Sequence, residues 1–307
     1  MTTTLLVACV AERPRGATVR AGTLSAEGAD IWYQTMGEGP PVIAVHGGPG
    51  LDHSYLLPGL EPLARDHELI LYDQRGLGSS TATLDSASIT MTRFLDDIEQ
   101  LRSEVAGTER VTLLAHSWGS IPALLYAMRW PDRVEALILL SPVEPGRRYA
   151  QRTNEAQMAR RSPADARAID SIVATDAFTA GDQATVNELF FHVFRGTFAD
   201  PSIADTAFHL HLTERTARQG RQVAALLMTP LAGLDFWAQL PSLHVPVLLV
   251  HGSEDPIPVE MVREMAAALP SARLEVIEGA GHFPFIEKPD QVFAAIRTFL
   301  EERDTAP

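Results

Sequence analysis

The sequence contains a single cysteine, Cys9, and a single lysine, Lys288, among its 25 Lys and Arg residues. One cysteine excludes an internal disulfide, a thiolate zinc cluster and an iron–sulfur site. The net charge of −14 leaves too little positive surface for binding a phosphate backbone, so nucleic acid is not expected as a partner. The longest apolar runs, such as 245–250, fall far short of the ~20 residues that a membrane span requires, so no span is expected.

The first residues bear on the location of the protein. Residues 6–9 read Leu-Val-Ala-Cys, which has the form of a bacterial lipobox ending at Cys9. A lipoprotein signal also needs a basic n-region, and no Lys or Arg precedes Arg13. The sequence therefore predicts a cytoplasmic protein. Export as a lipoprotein through Cys9 is the alternative if the start is misassigned.

Apolar runs alternate with helical patterns at both ends of the chain. Short runs flanked by Gly, Pro or Asp predict strands at 31–36, 42–46, 69–72, 111–114, 134–140, 245–251 and 274–277. Helical spacing of apolar residues predicts helices at 91–105, 121–130, 260–269 and 289–300. Several of the strands are apolar throughout, as expected in a parallel sheet covered on both faces. This alternation predicts a doubly wound α/β fold.

The middle of the chain has a different pattern. Residues 143–240 contain no convincing strand and are compatible with helices. We therefore predict an α/β core formed by 1–142 and 241–307, interrupted by a helical insertion at 143–240.

The strongest motif joins a predicted strand to a predicted helix. Residues 115–119 read Ala-His-Ser-Trp-Gly, which fits the nucleophile elbow G-x-S-x-G with Ala115 in place of the first glycine. The sharp turn requires small residues two positions before and after the serine, and alanine is the next smallest after glycine. The motif predicts Ser117 as a nucleophile and the Trp118 backbone N–H as a donor to an oxyanion. A helix-capping serine is the alternative.

A glycine-rich loop, HGGPG at 46–50, follows another predicted strand. In this architecture that loop supplies the second oxyanion donor, and its two glycines, Gly47 among them, let the backbone approach a substrate closely. A phosphate-binding loop is the alternative, but neither a following Lys-Ser/Thr pair nor G-x-G-x-x-G spacing is present. His46 is predicted to be a hydrogen-bonded structural residue.

Two further polar residues follow the last two predicted strands. Asp255 comes after 245–251 and His282 after 274–277, which completes the order Ser, Asp, His. His282 would accept the proton of Ser117, and Asp255 would orient the imidazole and stabilise its charged form. Glu144, at the end of another strand, and Glu254 are alternative acids.

Three motifs together resemble those of the proline iminopeptidases and their α/β-hydrolase relatives: HGGPG at 46–50, DQRGLGSS at 73–80 and HSWGS at 116–120. The resemblance spans roughly 24–141 and 245–300. It implies an α/β-hydrolase fold, a mostly parallel sheet flanked by helices, with the insertion as a helical cap over the site. It also implies Ser117, Asp255 and His282 as catalytic residues, and the backbone of Gly48 and Trp118 as the oxyanion hole. Within the second motif, Asp73 and Arg75 are interpreted as an ion pair that holds the turn.

The sequence departs from this family where the substrate would bind. The resemblance implies acidic cap residues that hold a free α-amine, often with a Glu directly after the catalytic Asp, but here Pro256 follows. Glu188 and Glu214 are the candidate substrate-binding acids of the insertion, although exposed helix charges are the commoner case, and Asp235 is a third. Phe191, in an aromatic cluster, is a further candidate substrate-binding residue.

A serine hydrolase that acts through an acyl-enzyme on a small ester or amide is therefore predicted. Because the cap acids are sparse, neutral esters are expected to be better substrates than prolyl amides. A carboxylesterase or lactonase is the alternative, and a ligand-binding protein without catalysis is a remote one. The predicted partner is a small molecule or short peptide, and neither a metal nor an organic cofactor is predicted.

Overall fold

Nine strands form one sheet in the computed structural model, which describes residues 19–208 and 210–304. Cys9 lies outside the described residues. The strands are β1 (Arg20–Ala26), β2 (Ala29–Met36), β3 (Pro41–Val45), β4 (Glu68–Tyr72), β5 (Thr81–Ala82), β6 (Val111–His116), β7 (Val134–Leu140), β8 (Val247–Gly252) and β9 (Ala272–Ile277). Their order in the sheet is β1-β2-β4-β3-β6-β7-β8-β9, with β5 paired to β2.

The sheet is parallel from β4 to β9 and antiparallel only around β2. Every residue of β6 and β8 is buried, because helices cover both faces. Alternate residues of one strand enter opposite cores: Leu113 packs in one cluster and Leu114 in the other. The predicted mostly parallel α/β fold is confirmed.

Eleven helices lie in the described part of the chain: α1 (Met91–Ala106), α2 (Ser120–Arg129), α3 (Ala150–Arg160), α4 (Pro163–Val173), α5 (Asp176–Ala180), α6 (Gln183–Arg195), α7 (Pro201–Ala207), α8 (Glu214–Met228), α9 (Val259–Ala268), α10 (Pro284–Glu287) and α11 (Pro289–Asp304). Six of them, α3–α8, lie between β7 and β8. Side-chain oxygens accept backbone N–H groups at the N-termini of five: Ser162, Thr175, Asp182, Asp200 and Thr213. These caps explain why the insertion forms separate short helices.

Helix α8 is fixed to the core by buried polar contacts. The carboxylate of Asp52 is fully buried and accepts the Thr213 N–H at 2.9 Å and the Thr216 hydroxyl at 2.8 Å. Farther along the helix, a Cβ on Gly220 would lie 2.4 Å from the carbonyl oxygen of Gly50. Only two glycines permit this approach, so α8 rests directly on the loop at 46–50.

Helix α3 is held differently. None of its residues is buried. Near its start, two exposed ion pairs reach α9: Arg148, two residues before the helix, pairs with Glu264 at 2.6 Å, and Arg152 pairs with Glu260 at 3.5 Å. Exposed pairs of this kind contribute little stability, about 0–1 kcal/mol each. The start of α3 is therefore weakly attached to α9, whereas Arg160, its last residue, donates to the carbonyls of Gly196 and Phe198 at 3.2 Å each.

The predicted ion pair between Asp73 and Arg75 is wrong. The guanidinium of Arg75 instead binds Asp97 of α1 through both its oxygens, at 2.8 and 2.6 Å, and both side chains are buried. Asp73 accepts from the ring of His53 at 2.7 Å and from the Ser79 N–H at 2.8 Å. The short sequence spacing is misleading because Arg75 pairs with Asp97, 22 residues later, and Asp73 with His53, 20 residues earlier.

Candidate active site

Ser117 occupies a strained turn between β6 and α2. Its φ angle is +54°, in the left-handed region that a residue with a side chain rarely adopts. A Cβ on Gly119 would lie 2.4 Å from the carbonyl oxygen of Val45, so that position requires glycine. Ala115 is fully buried at the position where the motif usually has its first glycine. This geometry matches a nucleophile elbow and presents a partly exposed Ser117 hydroxyl.

The three predicted catalytic side chains lie in one hydrogen-bonded row. The Nε2 of His282 is 3.0 Å from the Ser117 Oγ, and its Nδ1 is 2.9 Å from the Asp255 Oδ2. The other oxygen of Asp255 accepts the Ile257 N–H at 2.9 Å. With the Nδ1–H directed at the carboxylate, the Nε2 lone pair faces the serine hydroxyl. The row can therefore remove a proton from Ser117.

Asp255 is ionised in this environment. Burial alone would raise the pKa of its carboxyl, but the neighbouring rings of His282 and His251 and two hydrogen bonds lower the pKa to about 2. The side chain is fully buried, so solvent does not screen its charge from His282. A fixed negative charge at this place favours a positive imidazolium on His282.

The glycine loop at 46–50 approaches the serine closely. A Cβ on Gly47 would lie 3.2 Å from the Ser117 Cβ and 2.8 Å from the Tyr55 hydroxyl. Gly48 has φ of +132°, which also favours glycine. The backbone N–H groups of Gly48 and Trp118 remain the predicted oxyanion donors. His46 is buried beneath the loop, with its Nδ1 2.9 Å from the Gly47 carbonyl and its Nε2 accepting from the Gln74 N–H.

A buried hydrogen-bond chain connects this loop to His282. The Gly47 N–H donates to the Tyr55 hydroxyl at 2.6 Å, and that hydroxyl lies 2.9 Å from the His116 Nδ1. The His116 Nε2 lies 2.9 Å from the backbone carbonyl of His282. Burial, reinforced by His282, lowers the pKa of His116 to about 3, so its ring is neutral. The carbonyl of His282 can only accept, so His116 donates from Nε2 and accepts from Tyr55.

Sequence reasoning missed both Tyr55 and His116 as parts of the site. Tyr55 lies in a 3₁₀ turn, His53–Leu56, whose short polar sequence carries no motif. His116 precedes the serine, but nothing in the local pattern predicts where its ring points. The signal was the unusual burial of two polar rings, which only the tertiary structure reveals.

The alternative acids lie elsewhere. Both carboxylate oxygens of Glu144 accept the Tyr149 N–H, at 2.9 and 3.0 Å. Glu254 pairs with Arg160 at 3.4 Å. The carboxylate in contact with His282 is that of Asp255.

The structure does not bring the candidate cap residues to the serine. Glu188 is exposed, because the inner face of α6 is taken by apolar residues such as Val186 and Leu189. Glu214 is exposed at the start of α8 and pairs with Arg218 at 3.5 Å. Phe191 is half-buried and packs against the apolar core below α6.

A cavity of about 440 Å³ opens beside the elbow. Helix α3 and the segment 228–234 form two of its walls, and α2 and α9 contribute to its floor. Its apolar lining consists mainly of Trp118, Ile121, Val143, Leu234, Ile257 and Met261. Glu144 lines the same cavity. A pocket of this size and character accommodates a small organic substrate.

Residues 19–208 and 210–304 contain no group of three or more His, Cys, Asp or Glu side chains placed to hold a metal ion. Over the same ranges, no helix combines the length and the apolar character needed to cross a membrane.

Known proteins share this architecture. The family model of the α/β hydrolase fold matches residues 40–289. The proline iminopeptidase of Heyndrickxia coagulans is 26% identical over 292 residues, covering 91% of this chain and 98% of that protein. A thermophilic esterase from Thermogutta terrifontis superposes with a TM-score of 0.69 at 26% identity, covering 94% of this chain and 99% of the esterase. A proline iminopeptidase-related protein from Thermus thermophilus gives a TM-score of 0.69 at 25% identity, covering 92% and 98%. The chain therefore belongs to the α/β-hydrolase family, as a hydrolase of the branch that contains the proline iminopeptidases.

Proposed function

We propose that the protein is a serine hydrolase that cleaves small carboxylic esters or amides through an acyl-enzyme on Ser117. The observation that carries this proposal is the row of contacts from the Ser117 Oγ through the His282 ring to Asp255, at 3.0 and 2.9 Å, on an elbow with positive φ. A helix-capping serine would require neither the strained backbone nor a buried histidine–carboxylate pair beside it.

The proposed reaction proceeds in two halves. The Ser117 oxygen attacks the substrate carbonyl while His282 accepts the hydroxyl proton, and Asp255 stabilises the resulting imidazolium. The tetrahedral oxyanion accepts hydrogen bonds from the N–H groups of Gly48 and Trp118. Collapse of this intermediate breaks the ester or amide bond, and His282 gives its proton to the leaving oxygen or nitrogen. A water molecule then attacks the acyl-enzyme by the same route and frees Ser117.

We assign the helical insertion at 143–240 as a cap over the site. Helix α3 and the segment that begins at Met228, the last residue of α8, line the cavity together with Trp118, which follows β6, and with residues from 143–147, which follow β7. The cavity that they enclose with Trp118 is mainly apolar. Its size favours a small acyl or alcohol group over a long peptide. The named activities of the relatives, proline iminopeptidase and esterase, agree with amide and ester substrates.

The test combines covalent labelling with a substrate panel. A fluorophosphonate should label the wild-type protein at Ser117, and Ser117→Ala should abolish labelling while the protein still folds. Turnover of the best substrate among proline arylamide, short-chain aryl esters and lactones should fall by about 10⁴-fold or more in that variant. Retention of a tenth of the wild-type activity by Ser117→Ala would refute the assignment. Absence of labelling, with no turnover of any substrate, would favour a ligand-binding protein without catalysis.

A further inference from the structure

Hydrogen bonds from two directions fix the backbone of His282, the proposed base, in the loop 278–283 between β9 and α10 (the histidine loop). The His282 N–H donates to the Thr197 carbonyl of the insertion at 2.9 Å. The His282 carbonyl lies 2.9 Å from the Nε2 of His116, at the end of β6. All three residues are buried. The insertion and the core sheet therefore both determine where the imidazole lies.

Glu287, the last residue of α10, holds the residues on both sides of His282. One oxygen of its carboxylate accepts the Gly281 N–H at 2.9 Å and the Phe283 N–H at 3.4 Å. The other oxygen accepts the N–H of Ala199, which belongs to the insertion, at 2.8 Å. Glu287 is itself buried. One carboxylate therefore ties the histidine loop to the insertion.

The buried position of Glu287 is unfavourable for a charge. Burial raises the pKa of its carboxyl, the three backbone N–H groups offset part of that rise, and the negative charge of Asp255 adds to it. An apolar side chain would avoid this cost but would leave the three N–H groups without their acceptor. The carboxylate is thus matched to the backbone groups around His282.

Segment 196–199 of the insertion packs directly on the histidine loop. A Cβ on Gly281 would lie 2.2 Å from the Thr197 carbonyl oxygen, so this close approach requires glycine. Phe198 is fully buried and stacks on Phe283, with the ring centroids 4.8 Å apart. A shift of segment 196–199 would therefore also shift the histidine loop.

We infer that Glu287 is a positioning residue for the reaction: together with segment 196–199, it holds the His282 ring in line with its two partners. This inference rests on the proposed hydrolase function. Glu287 acts through the backbone of the histidine loop. The insertion then contributes to the geometry of the reacting groups as well as to the walls of the cavity.

The test compares two esters of the acyl group that the protein cleaves best, an ethyl ester and a 4-nitrophenyl ester. Ethoxide needs the proton that His282 gives to the leaving oxygen, whereas 4-nitrophenoxide leaves with little help from an acid. Displacement of the ring should therefore slow cleavage of the ethyl ester more. A variant that is merely less folded should lower kcat/KM for both esters by the same factor, because both scale with the concentration of folded enzyme.

Glu287→Gln keeps the shape of the side chain and one acceptor oxygen, but its NH₂ group would face a backbone N–H. It should lower kcat/KM for the ethyl ester by about 10- to 100-fold. The ratio of kcat/KM for the ethyl ester to that for the 4-nitrophenyl ester should fall by at least about threefold. Glu278→Gln is the matched control, because it removes an exposed carboxylate of the histidine loop, and it should leave the ratio unchanged. An unchanged ratio in Glu287→Gln would overturn the inference.

Phe198→Leu covers the case in which Glu287→Gln does not fold. It removes the stacking on Phe283 but keeps an apolar side chain, and it should lower the same ratio by at least about twofold. Phe178→Leu, at a half-buried position of α5, is its control and should not change the ratio. A wild-type ratio in Phe198→Leu would by itself contradict the role of segment 196–199. Failure of the wild-type protein to label at Ser117 would instead overturn the proposed function.

Discussion

Tyr55→Phe removes one oxygen from the centre of the chain that links the glycine loop to His282. That hydroxyl accepts the Gly47 N–H at 2.6 Å and donates to the His116 Nδ1, 2.9 Å away. Tyr55 and His116 are each only 2% exposed, so water does not replace the hydroxyl. The substitution leaves one buried donor and one buried acceptor without partners.

Each orphaned group costs about 1–3 kcal/mol, so the free energy of unfolding should fall by about 2–6 kcal/mol. Urea unfolding measures this difference directly. The same variant should lower kcat by about tenfold or more, with a smaller change in KM, because the loop that carries Gly48 loses its attachment to His116. Rates of fluorophosphonate labelling report the same loss at Ser117.

Tyr33→Phe is the control for Tyr55→Phe. The Tyr33 hydroxyl makes an exposed, long contact to Glu104 at 3.5 Å, so its loss should change stability by less than about 0.5 kcal/mol. If Tyr55→Phe is no more destabilising than Tyr33→Phe, the chain from Gly47 to His282 does not hold the site together. A loss of stability without any loss of kcat would show that the chain supports the fold alone.

Two other predictions concern pH and packing. The pKa of Asp255 is about 2 in the folded protein against an ordinary 3.8. The stabilisation of the folded state by its ionised carboxylate is therefore present above pH 4 and lost as the pH falls towards 2. Urea unfolding at several pH values should show that the free energy of unfolding falls by about 2 kcal/mol over that range. If Asp255→Asn shows the same dependence of stability on pH, the loss does not come from Asp255. Gly220→Ala places a Cβ 2.4 Å from the Gly50 carbonyl oxygen and should destabilise the protein by about 1–3 kcal/mol. Gly233→Ala, with nothing within 4 Å of its Cβ, should be nearly neutral, and equal effects of the two would refute the close contact.

The elements that the sequence predicts well are those specified by local pattern. The apolar runs that became β3, β6, β7 and β8 are continuous because the strands are buried on both faces. Strand β1 was missed, because it lies at the sheet edge and its residues are mostly exposed, without an apolar run. Strand β5 has only two residues and is too short for any periodicity.

The residues of the active site likewise include some that local sequence pattern predicts and others that it does not. Ser117, Asp255 and His282 could be proposed from sequence because each follows a strand, and the carboxyl ends of neighbouring parallel strands share one edge of the sheet. The ion pair of Arg75 with Asp97 joins positions 22 residues apart, and local spacing does not predict it. The place of Glu144 in the cavity likewise depends on how the loop after β7 turns towards α3. Such contacts are set by packing between elements, which a single sequence does not display.

Helix α8, whose last residue lines the cavity, and helix α3, which forms one wall, are attached to the core in different ways. Helix α8 is fastened to the glycine loop by the buried Asp52 and by the contact between Gly50 and Gly220. The start of helix α3 is held by ion pairs at the surface, which dissolved salt weakens, while its last residue, Arg160, donates to the carbonyls of Gly196 and Phe198. Opening on the α3 side would let substrate enter and product leave without displacing the loop that holds the oxyanion donors. The entrance to the cavity and the catalytic residues would thus lie on separately attached parts of the fold. Changes near the start of α3 could then admit substrates of different shape while the geometry of the reacting groups stays the same.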